Sequence, residues 1–258
     1  ANFRYDGSSR FAKGKQWGFF PSLSLGWRLD QEDFLKSQEW LSSLKLRGSY
    51  GVLGNQAIAN FSYVNLIQTG REYLFGGNVN AGVAVESFRD PNISWETTRI
   101  ANLGIDASLF RNQLELAIDL YDKRTDDILR PVTLPSQVGN LGGPVRNIGS
   151  VKNVGVDFNV IYRGKIGRFD YGINTGLNYN VNEVTNLNGE IIYSGDKFIT
   201  KEGYPIDSYY ILESDGLFQT QEQINASPFQ NITTKPGYIK FVDQNNDNVI
   251  NTDDRKII

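Results

Sequence analysis

Cysteine, histidine and methionine are all absent from the 258 residues of this chain. Without cysteine there is no disulfide scaffold, no thiolate metal site and no thiol nucleophile. Without histidine, Ser-His-Asp chemistry and histidine-ligated zinc are excluded within the chain as well. These absences remove most classes of enzyme, and the sequence predicts a protein that is not an enzyme.

A charge excess and long apolar runs are lacking too. The 26 Lys and Arg residues face 29 Asp and Glu residues, which leaves a net charge of -3. A nucleic-acid binder that relies on phosphate contacts would be basic, so the sequence predicts no nucleic-acid partner. No apolar run approaches the roughly 18 residues that a membrane-spanning helix needs, which excludes an α-helical membrane protein. Only 8 Pro, with 26 Gly and 12% aromatic residues, favour an all-β protein.

Alternation of apolar and polar residues is the strongest pattern in the chain. It is cleanest in Phe169–Asn182, where Tyr171, Ile173, Leu177 and Tyr179 oppose Asp170, Asn174, Asn178 and Asn182. Five other segments alternate in the same way, at 21–30, 44–52, 99–109, 114–121 and 154–163, and Asn2–Asp6 reads as the end of a seventh strand. The sequence therefore predicts about seven β-strands, each with one apolar and one polar face.

The predicted strands are long, and their connections alternate in length. Strands of about 10 to 14 residues exceed the globular mode of about 5 to 6 and match the 9 to 11 that cross a bilayer. Phe110–Gln113 and Gly164–Arg168 are short turns, whereas 55–96, 126–150 and the chain from Thr185 onward are long connections. This asymmetry is typical of outer-membrane barrels. A soluble β-sandwich also alternates, so a soluble glycan-binding or adhesin domain remains an alternative.

Strand parity assigns the ends of the predicted strands to the two sides of a membrane. The short turns are expected in the periplasm, together with Glu32–Ser43, whose Phe34, Leu35 and Leu41 have helical spacing. The long loops are expected outside. Residues 1–184 are thus predicted to be transmembrane barrel strands, and residues 185–258 an external region without a net crossing. Seven strands leave unpaired edges that lipid does not tolerate, so the chain is expected to be part of a larger barrel.

Several motifs give the sequence a family resemblance. They occur in order along the whole chain, as Arg4–Phe11, Trp17–Ser22, Leu25–Arg28, Leu44–Gly51, Gly54–Gln56, Asn92–Thr98, Asn147–Asn153, Asp215–Gln219 and Gly237–Asp243. On these motifs the chain resembles the SusC/RagA family of TonB-dependent outer-membrane receptors.

The resemblance implies a fold, a function and partners. It implies an all-β segment of a large antiparallel transmembrane barrel of 22 strands that holds a plug, with long external loops. It implies import of oligosaccharides or peptides through the outer membrane of a Gram-negative, Bacteroidota-like bacterium. The implied partners are a SusD-like surface lipoprotein, the lipid bilayer and the TonB complex, which acts through a plug segment that this chain lacks. A receptor for iron chelates or cobalamin is the alternative within the same transport class.

One segment has the spacing of a calcium loop. Asp243, Asn245, Asp247, the Val249 carbonyl, Asn251 and Asp254 stand at positions 1, 3, 5, 7, 9 and 12 of a twelve-residue pattern of oxygen ligands. Asn248 replaces the usual Gly at position 6, and Asp replaces Glu at position 12. The segment therefore predicts a structural Ca²⁺ site, and a polar turn closed by side-chain-to-backbone hydrogen bonds is the alternative.

Other candidate sites carry weaker signals. The acidic pairs Glu213/Asp215 and Asp126/Asp127 lack an apolar pocket that would raise one pKa, so no catalytic residue is predicted. Gly139–Gly143 lacks the strand-then-helix context of a phosphate loop and predicts an external loop. The ligand-binding residues are not identifiable from the sequence. Aromatic residues in the predicted outer loops could stack on sugar rings or simply pack there, at Tyr73, Phe75, Tyr193, Tyr209 and Tyr210.

Overall fold

The computed structural model of the chain describes residues 1–85, 87–132, 134–135, 137 and 142–258. Its main element is an antiparallel seven-stranded sheet whose strands lie side by side in chain order. The long strands are β1 (Asn2–Gly7), β2 (Trp17–Arg28), β3 (Leu41–Asn55), β8 (Glu96–Leu109), β9 (Leu114–Asp126), β12 (Ser150–Ile166) and β13 (Phe169–Asn186). The predicted strands and the all-β fold class are confirmed.

Short strands occupy the connections and the last part of the chain. They are β4 (Ile67–Thr69), β5 (Tyr73–Phe75), β6 (Asn78–Asn80), β7 (Val83–Val85), β10 (Leu129–Pro131), β11 (Val145–Asn147), β14 (Ile192–Ser194), β15 (Phe198–Thr200), β16 (Ser208–Leu212), β17 (Ser214–Leu217), β18 (Ile239–Phe241) and β19 (Arg255–Ile257). The helix α1 covers Gln221–Asn225, and 3-10 turns cover Leu29–Gln31 and Thr252–Asp254. Among the described residues, no helix combines the length and the apolar composition that crossing a membrane requires.

The pairing register keeps like faces together across the whole sheet. Asp157 pairs with Asn178 and Phe158 with Leu177 between β12 and β13, and Phe158 also pairs with Ile118 of β9. Because side chains alternate with a period of two, this register collects the apolar residues on one face and the polar residues on the other. The predicted alternation therefore extends through seven strands.

The predicted strand ends differ from the structure at the short-turn end of the sheet. β2 stops at Arg28, and Asp30 lies in a 3-10 turn where it accepts hydrogen bonds from the Arg28 and Gln31 side chains and from the Leu44 N–H. These donors, Arg28 first, lower the pKa of Asp30. The helical spacing in Glu32–Ser43 is misleading, because that segment contains no helix and Leu41 begins β3.

The turn between β12 and β13 is tighter than expected. The strands continue through Gly164 to Ile166 and resume at Phe169, so the predicted turn Gly164–Arg168 shrinks to residues 167 and 168. Gly167 adopts a φ of +63°, which a two-residue hairpin turn requires and which glycine accommodates without strain.

The chain divides into two compact units, Ala1–Asn188 and Gly189–Ile258. The second unit contains a small sheet in the order β14-β15-β16-β19 and the separate pair β17-β18. Its longest strand has 5 residues, against 18 for β13. The apolar pieces of this region, 191–193, 209–212 and 238–242, all contribute to these short strands.

Candidate functional site

The polar face of the large sheet carries a three-residue ion-pair cluster from three neighbouring strands. The Arg47 guanidinium of β3 donates to both oxygens of Asp119 on β9 at 2.6 Å each. It also donates to Asp106 of β8 at 3.0 and 3.2 Å. Bidentate hydrogen bonding of this kind holds the planar guanidinium in one orientation. The partners stand 59 and 72 positions from Arg47 in the chain, so no sequence pattern indicates this cluster.

Carboxamides dominate the same face further along the sheet. Asn159 of β12 donates to Asn174 of β13 at 3.3 Å, and Asn182 donates to Asn153 at 2.9 Å. Asn178 donates to the Asp157 carboxylate. The predicted set Asp170, Asn174, Asn178 and Asn182 thus shares one face, as the alternation requires. The result is a hydrophilic wall with several exposed donors and acceptors.

The opposite face is apolar and carries aromatic groups at both ends. Tyr5 stacks on Trp17 with ring centroids 5.0 Å apart, at the end where the long loops attach. Tyr171 contacts Tyr162 and Phe169 at 6.0 and 6.4 Å, beside the short turn. One aromatic cluster therefore lies near the short turns, and the second lies at the other end of the strands.

The distance between these ends matches a bilayer. On β2, Trp17 and Trp27 lie on the same face and are both about half exposed. Ten residues of strand span about 34 Å, which a tilt of 35 to 45° reduces to about 24 to 28 Å along the barrel axis. The apolar band of a transmembrane barrel is about 25 Å tall. The apolar face therefore has the height of a lipid-facing wall.

A small hydrophobic core ties the long loops together at one end of the sheet. Phe11 from the β1–β2 connection packs with Ile58 and Ile93 from the β3–β8 connection, and all three are buried. The side chains packed against this core include Leu129 and Val145 from the β9–β12 connection. We refer to Phe11, Ile58, Ile93 and these neighbours as the loop core. It was not predicted, because its members are single apolar residues in irregular segments.

Polar contacts reinforce the loop core. The Asn147 side chain accepts from the Ser94 N–H at 2.8 Å and donates to the carbonyls of Ser94 and Asp127 at 2.9 Å each. Glu96 accepts from the Leu129 N–H at 3.1 Å and from the Asn55 side chain at 3.1 Å. Two of the sequence motifs, Asn92–Thr98 and Asn147–Asn153, thus supply the residues that join two loops.

Phe20 connects the loop core to the sheet. Its ring is buried and meets Trp95 edge-on at 5.2 Å, and Trp95 meets Phe11 at 5.2 Å. The ring lies against glycine backbone: a Cβ atom at Gly54 would stand 2.0 Å from Phe20, and one at Gly18 would stand 2.4 Å away. Only glycine leaves room for this ring.

The predicted calcium loop forms a turn in which the side-chain oxygens accept backbone hydrogen bonds. Asp243 accepts from the N–H groups of Asn246 and Asn248 at 2.7 and 2.8 Å. Asn245 accepts from the Asp247 N–H at 2.9 Å, and Asp247 accepts from the Val249 N–H at 2.8 Å. Asn248, at the position where calcium loops use Gly, has a φ of +65°. The left-handed backbone expected there is present.

The end of the same loop is anchored by Asp254. Its buried carboxylate accepts from the N–H groups of Gln244 and Asn251 at 2.9 Å each, and Asn251 accepts from the Asp253 N–H at 2.7 Å. These backbone donors, Asn251 first, lower the pKa of Asp254. In the part of the chain that the structure describes, no three acidic side chains are grouped as a metal site. Calcium binding stays a prediction, and the hydrogen bonds are those of the polar turn.

Glu213 and Asp215, one of the acidic pairs considered as catalytic groups, are both engaged in ion pairs. Glu213 accepts from Lys256 at 3.1 Å and from Gln244 at 2.8 Å, and Lys256 lowers its pKa. Asp215 pairs with Lys240 at 2.5 Å. A cationic partner at each residue and the lowered pKa of Glu213 do not suit a general acid.

The candidate aromatic residues of the loops are largely accessible. Tyr73 and Phe75 belong to the short pair β5–β6 and are exposed. In the second unit, Tyr193 contacts Tyr210 at 6.0 Å and Phe198 contacts Tyr209 at 5.1 Å. Most of the predicted Gly139–Gly143 loop lies outside the described residues.

Comparisons with known proteins agree with this architecture. The profile of the TonB-dependent receptor-like β-barrel family matches residues 1–246. The chain is 32% identical over 273 residues to the TonB-dependent receptor SusC of Bacteroides thetaiotaomicron, covering 98% of this chain and 26% of that protein. It is 35% identical over 229 residues to the TonB-dependent receptor P39 of Formosa agariphila, covering 88% of this chain and 22% of that protein.

Solved structures give the same result. The structure of the RagAB peptide importer in the closed-closed state matches with a TM-score of 0.78 and 25% identity, over 99% of this chain and 27% of that chain. A second RagAB peptide transporter structure matches with a TM-score of 0.75 and 29% identity, over 84% of this chain and 24% of that chain. The chain thus spans about a quarter of the length of these relatives. It belongs to the SusC/RagA-type TonB-dependent receptors, as a segment of their β-barrel.

Proposed function

We propose that the whole protein imports oligosaccharides or peptides through the outer membrane, with energy from the TonB complex. The supporting observation is the match of nearly the whole chain to the RagAB peptide importer and to SusC. The two-faced sheet fits this role because one face has bilayer height and the other is hydrophilic. The relatives are receptors, and the chain is accordingly a segment of a receptor rather than of an enzyme.

The orientation of the sheet is part of the proposal. The apolar face contacts lipid, and the face with Arg47 and the carboxamides lines the lumen. The short turns lie in the periplasm and the loop core lies outside the cell. Residues 185–258 form an external region that adds no crossing, which agrees with the short strands of the second unit. The lumen-facing carboxamides are uncharged and can form hydrogen bonds with a neutral solute.

The loop core defines the mechanical role of this segment. Because Asn147, Glu96 and the buried Phe11 join three loops to one another, these loops present a fixed wall at the barrel mouth. A SusD-like surface lipoprotein closes over this mouth and encloses the ligand above the plug. Force from TonB on the plug opens the path to the periplasm. The residues of this chain act by shape and hydrogen bonding, and none forms a covalent intermediate.

Co-purification and uptake test the proposal. The full-length protein, tagged and expressed from its own operon, is expected to require detergent for extraction and to co-purify with a surface lipoprotein. A strain that lacks it is expected to lose uptake of an oligosaccharide or a peptide. Release by a carbonate wash would show a soluble domain instead. Uptake of an iron chelate or cobalamin without a lipoprotein partner would favour the alternative receptor class.

A further inference from the structure

On the apolar face, four neighbouring strands change from apolar to charged residues at the same end of the sheet. The apolar runs start beside the short turns, with Leu109, Leu114, Tyr162 and Tyr171. Toward the long loops they give way to charged side chains: Arg99 on β8, Asp122, Arg124 and Asp126 on β9, Lys152 on β12 and Glu183 on β13. We call these six residues the charged belt. It borders the apolar band and does not interrupt it.

Three cations of the charged belt stand directly opposite one another. Arg99 pairs with Arg124 across β8 and β9, and Arg124 pairs with Lys152 across β9 and β12. Like charges in directly opposed positions of a sheet destabilise it unless anions lie nearby. A row of three such positions therefore needs anions close to it, and the belt supplies three of its own in Asp122, Asp126 and Glu183.

Carboxylates accept hydrogen bonds from only some of the N–H donors in this row. Arg124 uses Nε and Nη2 for Asp122, at 3.0 and 2.9 Å, and Arg99 uses Nη1 for Asp126. Both arginine side chains are at least half exposed. A guanidinium has five N–H donors in a planar fork, so each arginine keeps donors for a second anion. Glu183 of β13 pairs with Lys152, so the residue next to the last cation of the row is an anion.

The surface at this row is concave. A depression of about 260 Å³ is lined by Arg99, Arg124, Asp122, Ala101 and Tyr50. A phosphate group with its hydration water fits a volume of this size. Two arginine forks around a depression suit phosphate, because the guanidinium binds two of its oxygens at once.

We propose that the charged belt binds the phosphate group of a phosphorylated glycolipid of the outer leaflet. The inference rests on the proposed function, since the orientation given above places the belt at the outer membrane surface. A charge on the lipid face of a barrel is costly at the midplane and nearly neutral near the interface. At the interface the cations meet lipid headgroups, and the phosphate accepts from the N–H donors of Arg99 and Arg124 that Asp126 and Asp122 leave available.

The test measures lipid bound to the purified full-length receptor by native mass spectrometry. The probes are bis-phosphorylated lipid A and the same lipid without phosphates. We expect at least about tenfold preferential retention of the phosphorylated form, as charge-assisted bonds to phosphate imply. The variant R99Q/R124Q/K152Q is expected to lose this preference, and the single variant R124Q is expected to reduce it should the triple variant fail to fold. Lys123→Gln, on the other face of β9, is the control and is expected to retain it.

Several outcomes would overturn the inference. One is equal retention of both lipids by the unchanged receptor, and another is an unchanged preference in R124Q. Full competition by millimolar inorganic phosphate would show a site for free anions, and equal retention of phosphatidylglycerol would refute the assignment to an outer-leaflet glycolipid. Lipoprotein co-purification, measured on the same samples, reports on the proposed function separately. Its loss in the unchanged receptor would count against import and not against lipid binding.

Discussion

Leu177→Arg is the substitution that tests the assignment of the two sheet faces most directly. Leu177 is exposed on the apolar face of β13 and pairs with Phe158. It lies six positions beyond Tyr171, which belongs to the aromatic cluster beside the short turn. Six residues of strand rise about 20 Å, or about 14 to 17 Å along the axis of a barrel tilted by 35 to 45°. In an apolar band of about 25 Å, this height is close to the midplane.

The expected effect follows from this depth. Arginine at the midplane of the lipid face destabilises a barrel by about 2–4 kcal/mol, and the effect falls to about 0–1 kcal/mol near the interface. Leu177→Arg is therefore expected to lower the free energy of unfolding by about 2–4 kcal/mol. Ile173 lies only about 5 Å above the level of Tyr171, so Ile173→Arg is expected to have a smaller effect.

The matched control is the next residue of the same strand. Asn178 faces the other side of the sheet and donates to Asp157, so Asn178→Arg is expected to change stability by less than about 1 kcal/mol. The free energies are measured by reversible denaturant unfolding of the full-length protein in lipid vesicles. A loss for Asn178→Arg as large as the loss for Leu177→Arg would refute the assignment of faces. Equal losses for Leu177→Arg and Ile173→Arg would refute the depth argument.

Three further predictions concern the loops. Gly54→Ala is expected to displace the Phe20 ring and increase protease cleavage of the loops, because the new Cβ atom would stand 2.0 Å from the ring. Gly51→Ala is the control and is expected to leave the cleavage pattern unchanged, because the atom nearest to its Cβ would be 3.6 Å away. The second unit is expected to lose stability as the pH falls below about 4, because folding lowers the pKa of the Asp254 carboxyl group. Such a group stabilises the fold at a pH above its pKa in the unfolded state, and this contribution is lost as the pH drops through its pKa in the folded state. Asp254→Asn should flatten this pH dependence in hydrogen exchange measured at several pH values. If calcium binds, the melting temperature is expected to rise in millimolar calcium, and Asp243→Ala is expected to abolish the rise; no rise in the unchanged protein would reject the metal.

The strands and their faces were predictable because alternation is a local property. Tyr171, Ile173 and Leu177 alternate with polar residues whatever lies beside them, and the structure confirms the strand they predict. The ends of the strands were less predictable. Leu29 and Asp30 continue the alternation of β2 but fold into a 3-10 turn, because the Asp30 carboxylate binds the Leu44 N–H across the turn.

The sequence by itself determined the all-β class, the seven long strands, their two faces and the family, since each depends on spacing or motif order along the chain. Only the tertiary structure decided which residues meet. The loop core around Phe11 depends on contacts between connections that are distant in the chain. The Arg47 cluster and the opposition of Arg99, Arg124 and Lys152 depend on strand register. A register shift of one residue would move the charged side chains of a strand to the other face of the sheet, and no local sequence pattern records that choice.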